Sequence, residues 1–136
     1  MILTDTGPFV ALLDKDDSNH ALCVSALSRL PPDDLLTTWP CLTEAMYLLG
    51  AVGGFHYQAK LWLLIENGEL FVHSLSDSDT QRMKTLMEKY QDTPMDFADA
   101  SMVATAESLS LRKIFTVDSD FRVYRLADKS AFEIVP

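Results

Sequence analysis

The residues here whose types and spacing could do chemistry are acidic. Two segments end alike, Ile2-Leu3-Thr4-Asp5 and Phe115-Thr116-Val117-Asp118, each an apolar run closing on an aspartate. If both runs are parallel, central strands, both carboxylates lie on one rim, outside the strand ends where α/β sheets bind ligands. The alternative is that each aspartate caps the helix or turn after it. Glu44 stands inside the run Cys41 to Leu49, with Cys41, Tyr47 and Leu48 three or four residues away on its helical face. A carboxylate there is either half buried, and costly unless paired or bound to metal, or confined to a narrow solvent-facing strip.

Asp96 and Asp99 are three residues apart on the first turns of one helix, where acids are electrostatically tolerated. Thr93-Pro94-Met95-Asp96 reads as a capping box with proline at the first helical position, which gives Asp96 a structural role. Asp99 is left without one. It leads Ala100-Ser101-Met102-Val103-Ala104, a small and apolar surface suited to close packing, so it is expected to face a cavity. Asp120, two residues beyond Asp118, is a ligand, a supporting group or a cap. Oxygen donors alone suit a hard cation, Mg²⁺ or Mn²⁺, rather than zinc. His20, His56 and His73 are scattered, and none is paired with a cysteine at ligand spacing. The chain has no G-x-S-x-G, Walker A or G-x-G-x-x-G motif.

These acids need strands and helices in alternation to bring them together. Strands are expected at residues 1–4, 35–38, 69–73, 113–117 and 132–135. Helices are expected at residues 6–13, 20–30, 40–49, 55–66, from Ser76, whose pairing with Asp79 reads as a capping box, to Tyr90, and from Pro94 to Leu109. Apolar residues at helical spacing, Pro40 in a first turn and the Gly53-Gly54 break support these bounds. The alternation predicts an α/β fold, a central and mainly parallel sheet of four or five strands flanked by helices.

The 136 residues carry no repeat or linker and form one domain, 1–136. Two cysteines, Cys23 and Cys41, are too few for a disulfide framework and point to a reducing, cytoplasmic setting. No apolar run reaches the ~20 residues that span a bilayer, and the opening residues do not resemble a signal peptide. The net charge of −9 is the wrong sign for holding nucleic acid by bulk attraction. Divalent cations on the acids would offset part of it and place positive charge where a phosphate must sit. Arg112, Lys113, Arg122, Arg125 and Lys129 gather near the C-terminus, as solvated surface or as phosphate contacts, with Arg122 and Arg125 the substrate-binding candidates.

The chain resembles the PIN-domain family, in particular its VapC-like toxins. The resemblance rests on Asp5-Thr6 after the opening strand, Thr43-Glu44 on a helix after the second, Ala98-Asp99-Ala100-Ser101 on a later helix, and Thr116-Val117-Asp118-Ser119-Asp120-Phe121 at the penultimate strand. It extends over essentially the whole chain. It implies Asp5, Glu44, Asp99 and Asp118 as catalytic, metal-binding acids, with Asp96 and Asp120 auxiliary and Thr6 and Thr116 as supporting hydroxyls. The activity implied is endoribonuclease hydrolysis of RNA phosphodiesters with one or two Mg²⁺ or Mn²⁺ ions. The role implied is the toxin of a type II toxin–antitoxin pair, acting as a homodimer with a cognate antitoxin. The alternatives are an RNA-processing PIN nuclease without an antitoxin and a catalytically silent interaction module. An aspartate-nucleophile phosphohydrolase is disfavoured, because Gly7 stands where a second acid would follow Asp5. The apolar run Leu61 to Ile65, with Phe55 and Tyr57, exceeds what one helix face needs and offers a dimer surface or an antitoxin groove.

Overall fold

Successive residues of a strand point to opposite faces of a sheet, and three short strands use that rule to divide the core. A computed structural model describes all 136 residues. Its strands are β1 (Ile2–Thr4), β2 (Leu35–Thr38), β3 (Leu70–His73), β4 (Lys113–Phe115) and β5 (Glu133–Val135). Its helices are α1 (Thr6–Leu13), α2 (His20–Arg29), α3 (Trp39–Gly53), α4 (Phe55–Glu66), α5 (Asp77–Lys89) and α6 (Phe97–Leu109), with a 3₁₀ turn at Ser119–Arg122. Leu3, Leu36 and Ile114 pack with α5, α6, Phe121 and Tyr124. Their neighbours in sequence face the other way. Ile2 and Phe115 join Ala11 of α1 and Cys23 of α2, while Leu35 joins Phe9, α3 and α4. Full burial on both faces explains why these strands read as continuous apolar runs.

All four strand pairings are parallel, and the order across the sheet is β3-β2-β1-β4-β5. The expected "mainly parallel" sheet of four or five strands is therefore an all-parallel sheet of five. The chain builds outward from β1 to β3, then crosses back to place β4 on the other side of β1. That reversal opens a crevice between the carboxyl ends of β1 and β4, where open α/β sheets hold their ligands.

β4 ends at Phe115 rather than at residue 117, and two helix boundaries depart from the sequence reading with physical reasons. Helix α3 runs through Gly50 to Gly53 and stops only at Gly54, whose φ of 68° is the left-handed conformation glycine adopts freely. The opening of α6 is shifted by one turn. Asp96 is the N-cap and accepts from the Asp99 N–H at 2.7 Å, while Asp99 reaches back to the Asp96 N–H at 3.2 Å. The capping box is therefore Asp96 with Asp99, not Thr93 with Asp96. Asp99 has the cap role that the sequence reading withheld from it.

Candidate metal centre

Asp5 follows β1 and caps α1, its Oδ1 accepting from the Thr6 N–H at 2.8 Å. Its other oxygen, Oδ2, accepts from the Thr116 hydroxyl at 2.9 Å. The Asp5 N–H donates to the Phe115 carbonyl, locking the end of β1 against β4. Asp118 caps the 3₁₀ turn through the Asp120 N–H at 2.9 Å, and its own N–H donates to the Thr116 hydroxyl at 3.0 Å. Thr116 thus ties the two strand-end acids together. Both readings of these aspartates hold at once, because each is a cap and both lie on the same rim.

Asp99 completes the group from the first turn of α6. One carboxylate oxygen from each of Asp5, Asp99 and Asp118 lies within 4.8 Å of the others. Asp5 and Asp99 are buried, and Asp118 is half-buried. Burial pushes the Asp5 carboxyl up to about 6, against hydrogen bonds from Thr6 and Thr116, with Asp118 and Glu44 adding to the rise. Burial likewise raises Asp99 to about 7, opposed by the Asp96 N–H and reinforced by the charges of Asp96, Asp5 and Asp118. Crowding three carboxylates in low dielectric is unfavourable until a proton or a cation arrives. An all-oxygen donor set at this spacing suits a hard divalent ion.

Glu44 differs from the expectation that it joins the principal acids. The buried face of α3 is Cys41, Leu42, Ala45 and Leu49, which leaves Glu44 exposed on the solvent-facing strip. It stands outside the three-carboxylate group and is linked to it through the Thr6 hydroxyl, 3.2 Å from its Oε2. Asp96 is exposed beside it, and both line an open cleft of about 520 Å³. Asp120 sits in the 3₁₀ turn, raised by the charge of Asp118. Arg122 is exposed and lines a smaller pocket of about 180 Å³ with Thr116 and Asp118. Arg125 is not free in the same way. Its Nη1 donates to the carbonyls of Arg122, Val123 and Tyr124, closing the end of the 3₁₀ turn.

Four contributors have no signal in the local sequence. The Tyr124 hydroxyl contacts Asp99 Oδ2 at 3.3 Å and donates to the Pro94 carbonyl, fixing the carboxylate from behind. Cys41 packs its thiol 3.7 Å from Asp5 Oδ1, and burial pushes that thiol up to about 12, so it stays neutral. Ser101 joins Thr38 by a 2.6 Å hydroxyl pair, pinning α6 to the end of β2. Gly7 allows α1 to approach the end of β4, since a Cβ there would lie 2.6 Å from Val117 Cγ2. Branched side chains are stiff at χ1, so that contact would move one of the two rims.

An acidic cluster at the switch point of a parallel β3-β2-β1-β4-β5 sheet defines the class, an α/β protein with three converging carboxylates at the rim of its sheet. The PIN domain family model matches residues 2–126, and this chain belongs to that family. Ribonuclease VapC26 of Mycobacterium tuberculosis is 24% identical, covering 99% of this chain and all of the relative. Among solved structures, M. tuberculosis VapC20, a sarcin-ricin loop cleaving toxin, superposes over the whole of both chains with a TM-score of 0.84 at 18% identity. VapBC2 from Rickettsia felis, bound to a DNA fragment from its promoter, also matches over the whole of both chains, with a TM-score of 0.70 at 15% identity. No helix is long and apolar enough to cross a membrane.

Proposed function

We propose that this PIN-domain protein is a metal-dependent endoribonuclease, the toxin of a type II toxin–antitoxin pair. The observation that carries the reading is the meeting of Asp5, Asp99 and Asp118 within 4.8 Å in a PIN fold. Its similarity to a VapC ribonuclease and to VapC toxins supports RNA as the substrate and an antitoxin as the partner.

Asp5, Asp99 and Asp118 hold one or two Mg²⁺ or Mn²⁺ ions, with Glu44 contributing from the lip of the site. Such an ion supplies Lewis acidity and lowers the pKa of a coordinated water, the chemistry that phosphodiester hydrolysis requires. The protein's part is placement. Thr116 holds Asp5 Oδ2 and the Asp118 backbone in register, so the two strand-end carboxylates converge. Tyr124 and the capping box restrain Asp99 from two sides. The Thr6 hydroxyl donates to Glu44 Oε2 at 3.2 Å and holds that carboxylate at the lip. Without an ion, Asp5 and Asp99 retain protons at pH values where ordinary aspartates have lost them, and loading the site releases those protons. Arg122, beside Asp118, is placed to contact a substrate phosphate.

A homodimer and an antitoxin have surfaces available on α3 and α4. Tyr47, Phe55, Trp62 and Leu63 are exposed there, while Leu61 alone of its run is fully buried. The functional test is cleavage of a labelled, mixed-structure RNA with Mg²⁺ or Mn²⁺, with EDTA, and with folded Asp99→Asn. Cleavage that requires metal and is lost in the variant is expected. Cleavage that persists in EDTA or in the variant would overturn the assignment.

A further inference from the structure

The cleft beside the acids is built unlike a phosphate channel. Trp39 and Phe97 line it together with Thr43, Glu44 and Asp96. Both aromatics occupy the first position of a helix, Trp39 on α3 behind the Thr38 cap and Phe97 on α6 behind the Asp96 cap. The two caps fix these residues close to the chemistry, yet Trp39 is 51% and Phe97 56% exposed. Single exposed apolar residues are ordinary. Two large aromatics sharing one cleft with Glu44 are a more specific arrangement, because Glu44 also contacts Thr6 at the rim of the acid group. Two lining residues tie the cleft to the candidate metal centre, Glu44 through Thr6 and Asp96 through its capping box with Asp99.

Its charge decides what fits. The lining carries two carboxylates and no lysine or arginine, so a phosphate is repelled there. A nucleobase is not. Its flat face stacks on aromatic side chains, and exocyclic amino groups donate to carboxylates. Asp96 spends Oδ1 on its cap and leaves Oδ2 for such a donor. The cation, Arg122, is found in the other pocket, beyond Asp118.

We propose that the Trp39–Phe97 cleft receives one unstacked nucleobase of the RNA, adjacent to the bond that is cut, and selects amino-bearing bases through Glu44 and Asp96. The inference rests on the ribonuclease reading and adds a substrate class to it, RNA with a splayed, unpaired base at the cleavage site. A duplex offers no free base face and does not enter the cleft.

The test uses two readouts. In a Trp62→Phe background Trp39 is the sole tryptophan, and its fluorescence is followed on adding single-stranded tetranucleotides or a blunt RNA duplex in Ca²⁺. Quenching by single strands, stronger for adenine, guanine or cytosine than for uracil and absent with the duplex, is expected. In cleavage assays on a mixed RNA, Trp39→Ala and Phe97→Ala raise KM about ten- to a hundredfold and flatten the base preference, with kcat less affected. Trp39→Phe restores most of the loss, and the Mn²⁺-induced rise in melting temperature is unchanged in all three. Cleavage by the wild type without quenching of Trp39 would overturn the base cleft and leave the nuclease standing. Quenching by single strands without cleavage would overturn the nuclease reading and, with it, the cleft's place beside a cut bond. Equal quenching by duplex and single strand, or an unchanged base preference in both alanine variants, would also overturn the cleft.

Discussion

At the start of α5, Ser76 and Asp79 exchange hydrogen bonds across a capping box. At the start of α6, Asp96 and Asp99 do the same. In each case the second acid is buried, Asp79 5% and Asp99 8% exposed. Their electrostatic fates are opposite. Burial alone would raise Asp79, but the Ser76 N–H, the His73 ring at 3.1 Å and the Ser76 hydroxyl outweigh it and hold the carboxyl below its ordinary value. Asp99 meets Asp5 and Asp118 instead of a base, and burial with like charge lifts it to about 7. One local device serves two ends. Paired with histidine it anchors a helix, and facing carboxylates it leaves a crowded acid that a proton or a cation would relieve.

Exchanging the acids for amides breaks the comparison most sharply. Asp99→Asn or Asp118→Asn should lower cleavage by about 10²- to 10³-fold, the scale of losing a principal electrostatic group. Asp79→Asn should leave RNA cleavage near wild type in the same assay. A large loss in Asp79→Asn with its melting temperature intact would mean that α5 also belongs to the site.

The pH dependence of stability should separate the two acids next. Between the ordinary value of 3.8 and the raised values of about 6 and about 7, folded Asp5 and Asp99 hold protons that the unfolded chain has released. Metal-free stability therefore falls as pH rises through that window, with Asp5 alone contributing on the order of 3 kcal/mol. Asp79 has the opposite sign. Its contribution is present above its ordinary value and is lost as pH falls through its lowered one. Thermal melts from pH 3 to 8, with EDTA and with Mn²⁺, check both, and Mn²⁺ should remove most of the decline above pH 4. A metal-free melting temperature that climbs steadily from pH 4 to 7 would contradict the crowding of Asp5 and Asp99.

Thr116→Val tests placement rather than charge. It keeps the shape but removes the hydroxyl shared by Asp5 and Asp118, so Mn²⁺ affinity measured by titration should weaken about 10- to 100-fold. The smallest effect belongs to the other box. Asp79→Ala should cost about 1–2 kcal/mol in urea unfolding without altering Mn²⁺ binding.

Much of this is legible in the amino-acid sequence. Apolar runs ending in Asp5 and Asp118 located β1 and β4 and their rim, since short buried strands leave few other readings of Ile-Leu-Thr and Ile-Phe. The start of α5 at Ser76 is legible because a capping box, here Ser76 with Asp79, is local. The shift of the α6 box by one turn is not, because Thr93-Pro94-Met95-Asp96 and Asp96-Phe97-Ala98-Asp99 both satisfy the pattern. The burial of Glu44 was undecided for a similar reason. Its helix is apolar nearly all round, and which strip faces solvent depends on what packs against the rest.

The sequence by itself determined the alternation of strands and helices, the residue types at the strand ends and the helix starts that carry acids, because those follow from nearest neighbours along the chain. Only the tertiary structure decided which acids meet. Asp5 and Asp118 are brought together by the crossing back of β4 beside β1, by the Thr116 hydroxyl and by the missing side chain of Gly7. Asp99 is turned toward them by Tyr124, 25 residues further along. A carboxylate's pKa depends on how deeply it is buried and on the charges that surround it in space. Separation along the chain carries no information about either.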